Sequence, residues 1–339
     1  MQIRSRLTDW MGSFFYRKTG HSCAIEICGL ALVAYNPKHT IFIRQYYIYC
    51  VELFKQSLSN AGLEKNFVFG DYNVDFGDEK AQSRIDIQYE HTLVKPGGRD
   101  SAGAVVGNIP IADSRDCYLA RVQNYSYLER CDLVIEYSLP NIVNLQESKA
   151  FDEYLAKTVY ISPFLYDINF RECKRNRHIA TLFADVHQPR RSTFLERAKR
   201  VQLPLQNVKG TYDKTALQRL YREIKILVNV HQTPHHHTFE ELRILPALLC
   251  GVVIVSEEVP LKQYIPYSKY IVWSSYENLI DTVRSVHTNY EKYYDAIFND
   301  PELHTILVSM RERNISNARQ ACQDNFVSDN RATLNRPGL

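Results

Sequence analysis

Apolar residues in this chain come in short, dense runs separated by polar stretches of about helical length. Cys23 to Tyr35 (CAIEICGLALVAY) is apolar and short enough for a buried strand, with a bend at Gly29. Asn36-Pro37-Lys38 is a turn signal, and the mixed aromatic and aliphatic rhythm after it predicts a helix from about Ile43 to Ala61, closed by Gly62. Phe67-Val68-Phe69 is a brief strand and Ile85 to Tyr89 alternates like another, leaving into EHTLVKPGGR. Cys131 to Tyr137 (CDLVIEY) is a buried strand, Asn141 to Lys157 reads as helical, and Val159-Tyr160-Ile161 as a short strand. Strand, turn and helix alternating in this order predict an α/β unit.

The polar segment Arg171 to Arg177 (RECKRNR) is the best linker. A second alternating series follows it. Strands are expected at His178–Ala184, near Val201–Val208, and at Lys225–Val230, Val252–Ser256 and Tyr270–Trp273. Helices are expected at Thr193–Arg200, Lys214–Ile224, 239–250, Asn278–Tyr294 and Glu302–Asn325, with a loose tail from Ser328. Asp185 to Ser192 is expected as a loop.

Composition narrows the class. With 339 residues, 45% hydrophobic and 23% charged, the chain reads as an ordinary globular protein too long for one core, so two domains are expected. A net charge of +3 is too mild for a nucleic-acid partner, which needs a clustered basic face. The eight cysteines form no CxxC pair and sit mostly in apolar contexts, as reduced thiols of a cytoplasmic protein do. No apolar run has the length of a membrane span, and the start, MQIRSRLTDWMGSFFYRKTG, lacks the apolar core of a signal peptide. That start can form an amphipathic helix making peripheral contact with the inner face of a membrane, through Trp10, Phe14, Phe15 and Tyr16; a helix docked on its own domain is the alternative.

The densest chemistry lies in His231–Glu258, HQTPHHHTFEELRILPALLCGVVIVSEE. Thr238 and Glu241 have capping-box spacing, Leu242, Leu245, Leu248 and Leu249 line a helix, and Gly251 is placed to end it in a left-handed cap. Pro246 should bend that helix. A helix N-terminus offers free amides and a partial positive charge to a phosphate, and Arg243 can add a bidentate contact; pairing of Arg243 with Glu240 is the alternative. Three consecutive histidines cannot readily place their rings on one metal, and Asp71, Asp75 and Asp78 lack DxD spacing, so no metal is expected. His236 and His237 suit hydrogen bonds to phosphate or sugar hydroxyls, or a structural role.

The order of strand, HHHTFEELR helix, LLCG, VVIVSEE strand and PLKQYIPYSKYIVW resembles the donor-binding half of GT-B glycosyltransferases, closest to the spore-maturation-type, family 1-like polysaccharide enzymes. The resemblance covers roughly His178 to Ser275; upstream, DLVIEYSLPN followed by VYISPFLYD matches mainly in architecture. It implies two Rossmann-like domains facing each other across a cleft: an acceptor domain at 1–170, a nucleotide-sugar domain at 171–310, and a helix and tail at 311–339 packing back on the first. The implied activity is metal-independent transfer of a sugar from a nucleotide-sugar donor to a glycan or polysaccharide, with no cofactor. A GT-B-like sugar-nucleotide epimerase and a non-catalytic sugar-nucleotide-binding module are the alternatives.

Residue by residue, the resemblance sets Arg190 and Arg191 at the donor diphosphate, Lys209 and Gly210 near the base, and His236, His237, Thr238, Glu240, Glu241 and Arg243 around phosphate and ribose. Glu257 lines the sugar. An inverting reaction also needs a base to take the acceptor proton. His91, with Glu90 as its orienter, is the first candidate and Glu136 the second.

Overall fold

The computed structural model describes residues 24–28, 31–35, 41–60, 67–71, 83–88, 93–94, 119–120, 131–148, 152–170, 177–183, 186, 189–209, 214–232 and 239–327. They form two α/β units. The first sheet contains β1 (Ala24–Cys28), β2 (Ala31–Tyr35), β3 (Phe67–Asp71), β4 (Ser83–Gln88), β7 (Leu133–Glu136) and β8 (Thr158–Tyr160), in the spatial order β1-β2-β3-β4-β7-β8. The β1–β2 pair is antiparallel and every later pair is parallel. The single bent strand expected at Cys23–Tyr35 is therefore a hairpin. Each of the two five-residue segments satisfies backbone groups by pairing with the other. A small ladder of β5 (Leu93–Val94) and β6 (Leu119–Ala120) stands apart.

The second sheet is wholly parallel. It holds β9 (Arg177–Thr181), β10 (Leu205–Asn207), β11 (Ile224–Asn229), β12 (Val253–Glu257) and β13 (Ile271–Ser274), ordered β10-β9-β11-β12-β13. In order of appearance this is 2-1-3-4-5, with a topological switch between β9 and β11, where open α/β sheets hold ligands at the carboxyl ends of their strands. β12 is buried throughout and β11 nearly so, as parallel strands covered on both faces must be.

The helices are α1 (Ile41–Asn60), α2 (Leu139–Ser148), α3 (Asp152–Ala156), α4 (Pro189–Arg200), α5 (Lys214–Glu223), α6 (Glu241–Leu249), α7 (Leu279–Thr288), α8 (Tyr290–Phe298) and α9 (Pro301–Cys322), the last continued by a π turn at Gln323–Val327. The helix expected at Asn141–Lys157 is divided between α2 and α3, and the one at Asn278–Tyr294 breaks at Asn289. The loop expected through Ser192 gives way to α4 at Pro189. Proline at a first helical position sets φ and lacks only an amide that would be unbonded there, so Arg190 and Arg191 lie in a helical first turn. None of the described helices is long and apolar enough to cross a membrane.

The two units are tied by backbone and side chains. Asn169 N donates to Leu249 O at 2.9 Å, and Tyr166 OH to Lys214 O at 3.2 Å. The helix α9 starts at Pro301, with Asp300 capping the Glu302 amide at 2.9 Å, and packs on α1 and β8. There Asn314 accepts from Ser162 N at 2.9 Å and Ser162 Oγ at 3.0 Å, and donates to Tyr49 OH and Ser162 O, both at 2.9 Å. Asn314 and Ser162 are both fully buried, so this amide satisfies a backbone group that water cannot reach. The amphipathic start, Glu90, His91, Gly210, His236, His237, Thr238 and the tail lie outside the described residues.

Candidate functional site

Helix α6 enters the junction between the two sheets. All nine of its residues are buried, including Glu241 and Arg243, and it packs on α1 of the first unit and β12 of the second. An all-buried helix belongs to an interior rather than a surface. Its end follows the sequence closely: Gly251 has φ 73°, its amide donates to Leu248 O at 2.9 Å, and Val252 N donates to Ala247 O at 3.2 Å, a Schellman closure.

Its beginning does not follow the expected capping box. Glu240 occupies the cap position without a side-chain cap bond, and the Glu241 amide donates to Phe239 O at 2.7 Å. The Glu241 carboxyl instead reaches across the junction. Its Oε2 accepts from Tyr267 OH at 3.0 Å, and Ser138 of the first unit lies beside it. Buried hydroxyls need partners as much as helix amides do, and here the carboxyl serves the hydroxyls. Glu241 Oε1 has no hydrogen-bond partner.

Facing it, at the end of β7, is Glu136. Its Oε1 accepts from the amides of Tyr137 at 3.0 Å and Ser138 at 3.3 Å, and its Oε2 accepts from Asn141 Nδ2 at 2.7 Å. Ser138 thus lies between the two carboxyls, with its amide on Glu136 and its side chain beside Glu241. Burial pushes Glu136 up to about 8 against the pull of its three donors, and Glu241 adds to the rise. Burial likewise pushes Glu241 up to about 8, opposed by Tyr267 and Ser138. Both groups therefore titrate just above neutral pH, where a carboxyl can exchange a proton with a substrate hydroxyl.

Arg243 is 8% exposed. Its Nη2 lies 3.7 Å from Glu240, its guanidinium carbon is 5.4 Å from the ring centre of Phe42 on α1, and its Nε and Nη1 have no partner. The alternative pairing with Glu240 is therefore present, with the guanidinium turned toward the first unit and two of its nitrogens unpartnered among the described residues.

A second group forms at the β9–β11 switch. Arg190 is ion-paired to Glu257 at the end of β12, and its guanidinium lies 3.7 Å over the Tyr276 ring. Glu257 Oε2 also accepts from His231 N at 2.7 Å, and burial raises its pKa despite Arg190. Arg191 turns inward, 4.7 Å over Phe183, with Nε 3.4 Å from Val230 O. Lys209 is exposed beyond the end of edge strand β10. Among the described residues no group of three or more His, Cys, Asp or Glu is placed to hold a metal.

The tertiary structure therefore gathers Glu136, Glu241 and Arg243 at the junction and Arg190 and Glu257 at the switch. It adds Ser138 and Tyr267, together with the fully buried Gln88, Asn141 and Asn144, which the sequence reading passed over. The motif YSLPN after a buried strand carried a signal for Ser138 and Asn141. Gln88 and Tyr267 carried none, because polar residues beside strands and turns are common.

Two α/β sheets, one mostly and one wholly parallel, with a C-terminal helix returning to the first, make up the fold. No family model matches the chain. Over 116 residues it is 28% identical to Uncharacterized protein R358 of Acanthamoeba polyphaga mimivirus, a match covering 33% of this chain and only 40% of that protein. Among solved structures it is similar to a UDP-forming alpha,alpha-trehalose-phosphate synthase from Burkholderia xenovorans in complex with glucose-6-phosphate, at 11% identity and a TM-score of 0.42, over 92% of this chain and 91% of that one. A second structure of a UDP-forming enzyme of that name and organism gives 10% identity and a TM-score of 0.41, over 94% and 92%.

Proposed function

We propose that the chain is a metal-independent, nucleotide-sugar-dependent glycosyltransferase acting on a glycan or polysaccharide. The first domain, 1–170, takes the acceptor and the second, 171–310, the donor, while the helix from 311 onward braces the two. The observation that carries this reading is the junction of Glu136, Ser138 and Glu241. Two titratable carboxyls, one at the end of β7 and one at the start of α6, meet beside one serine, at a strand end where α/β folds bind ligands.

In this reading the diphosphate lies against the start of α6 and Arg243, whose free nitrogens suit two phosphate oxygens. Arg190 adds positive charge as Glu257 turns to the sugar. Fixed dipoles and cations of this kind stabilise a leaving diphosphate without a metal. The partnerless oxygen of Glu241 takes a hydroxyl of the donor. The base is Glu136 or the His91–Glu90 pair.

The test is a panel of nucleotide sugars screened by thermal shift, followed by measurement of nucleoside diphosphate released with and without glycan acceptors. A bound donor raises the midpoint by mass action, and Arg243→Ala weakens its binding about tenfold or more, the worth of a charge-assisted hydrogen bond. With Glu136 as base, kcat/KM rises with pH through about 8. With His91 as base, His91→Ala abolishes the rise with pH. If no nucleotide sugar shifts the midpoint at saturation, the donor reading is wrong.

A further inference from the structure

The junction holds more buried polarity than proton transfer needs. Gln88 ends β4 and is the register partner of Glu136 at the end of β7, so the two stand side by side at the sheet edge. Asn141 and Asn144 lie three residues apart on α2, and so share one helix face. Gln88, Asn141 and Asn144 are each fully buried. Among the described residues Gln88 has no partner for its oxygen or its nitrogen, Asn144 has none for either, and Asn141 has none for its oxygen once its nitrogen has gone to Glu136. Glu241 Oε1 is also unpartnered among the described residues. Native interiors leave only a few such atoms per hundred residues, and seldom several side by side. Five on three neighbouring carboxamides mark a place prepared for a bound group.

The chemistry of that group follows from the atoms. A carboxamide offers one acceptor oxygen and one donor nitrogen, which matches a pair of hydroxyls, each both donor and acceptor. A phosphate or carboxylate only accepts, so it would leave the three amide oxygens unanswered. It would also lie beside Glu136 and Glu241, neither of which has an ion-pair partner among the described residues.

We propose that Gln88, Asn141 and Asn144 form an acceptor subsite for an uncharged, polyhydroxylated sugar unit, selecting it against phosphorylated or carboxylated sugars. The subsite rests on the transferase reading for its role, but its chemistry can be tested by binding alone. Replacing a partnerless buried amide by leucine of similar size removes a desolvation cost. Gln88→Leu and Asn144→Leu therefore keep or raise the unfolding midpoint while weakening sugar binding, a combination that a purely structural amide does not give.

The experiment titrates the full chain with neutral sugars (glucose, galactose, mannose and their disaccharides) and with the matching 6-phosphates and uronic acids. It is run with and without a nucleotide-sugar donor, by calorimetry and thermal shift. The expected result is binding of at least one neutral sugar, at least about tenfold weaker binding of its charged analogues, and about tenfold loss in each leucine variant with the donor-induced shift retained. Equal or better binding of the charged analogues overturns the subsite and leaves the donor reading intact, as does a lowered midpoint in both variants. Binding of neutral sugars with no response to any donor keeps the subsite and removes the transferase role. No response to any sugar or donor removes both.

Discussion

Replacing Glu241 by glutamine makes the strongest demand on the picture of two protonated carboxyls at the domain junction. Burial raises Glu241 and Glu136 from the ordinary 4.5 to about 8. Between those values the folded chain holds protons that the unfolded chain has released. The stabilisation is therefore complete below about pH 4.5, declines as pH rises, and is lost above about pH 8. Each pH unit in that window is worth about 1.4 kcal/mol per proton, so one carboxyl accounts for about 3 kcal/mol between pH 4.5 and 7. Glutamine keeps the side-chain shape and an oxygen for the Tyr267 hydroxyl while removing the proton equilibrium. It also relieves Glu136 of a neighbouring charge, which narrows the window of the remaining group. The assay is urea unfolding of both proteins across this pH range, with the urea slope checked for constancy. Relative to the wild type, the variant should gain about 3 kcal/mol on going from pH 4.5 to 7. Parallel stability curves for the two proteins would refute the reasoning, since Glu241 could then not be held protonated by burial.

Two other substitutions probe the frame around the site. Asn314→Ala removes the partner of the buried Ser162 amide and should cost about 3 kcal/mol, one orphaned donor plus lost neutral hydrogen bonds; a loss below about 1 kcal/mol in denaturant unfolding would show that α9 does not hold the first sheet this way. Gly251→Ala forces a β-carbon into the left-handed region at φ 73° and should cost about 1–2 kcal/mol, whereas Gly251→Asn, which tolerates that region better, should recover part of the loss.

The alternation of apolar runs was enough to show the α/β class and most element positions. Parallel strands buried on both faces must be continuously apolar, and LVIE and VIVSE stand out for that reason. The glycine stop after LLC was equally legible, because left-handed closure is a local requirement. The direction of the Glu241 side chain was not. A capping box and a carboxyl turned to a distant hydroxyl share the same local sequence, and the choice depends on Tyr267, 26 residues away. Arg190 and Arg191 show the same limit. Adjacent and alike in sequence, they take opposite roles, Arg190 paired with Glu257 and Arg191 turned against Phe183, because consecutive residues of a helical turn face different neighbours.

What the sequence determined alone was therefore periodic or local: strands, helices, their stops, and a stretch dense in polar residues after β11. What only the tertiary structure decided was which of those residues meet. Glu136 and Glu241 lie about a hundred residues apart, one ending a strand of the first sheet and the other opening a helix of the second unit. Their shared serine, raised proton affinities and unpaired amide neighbours arise from burial at the junction, and burial is a property of the packed chain that no short segment carries.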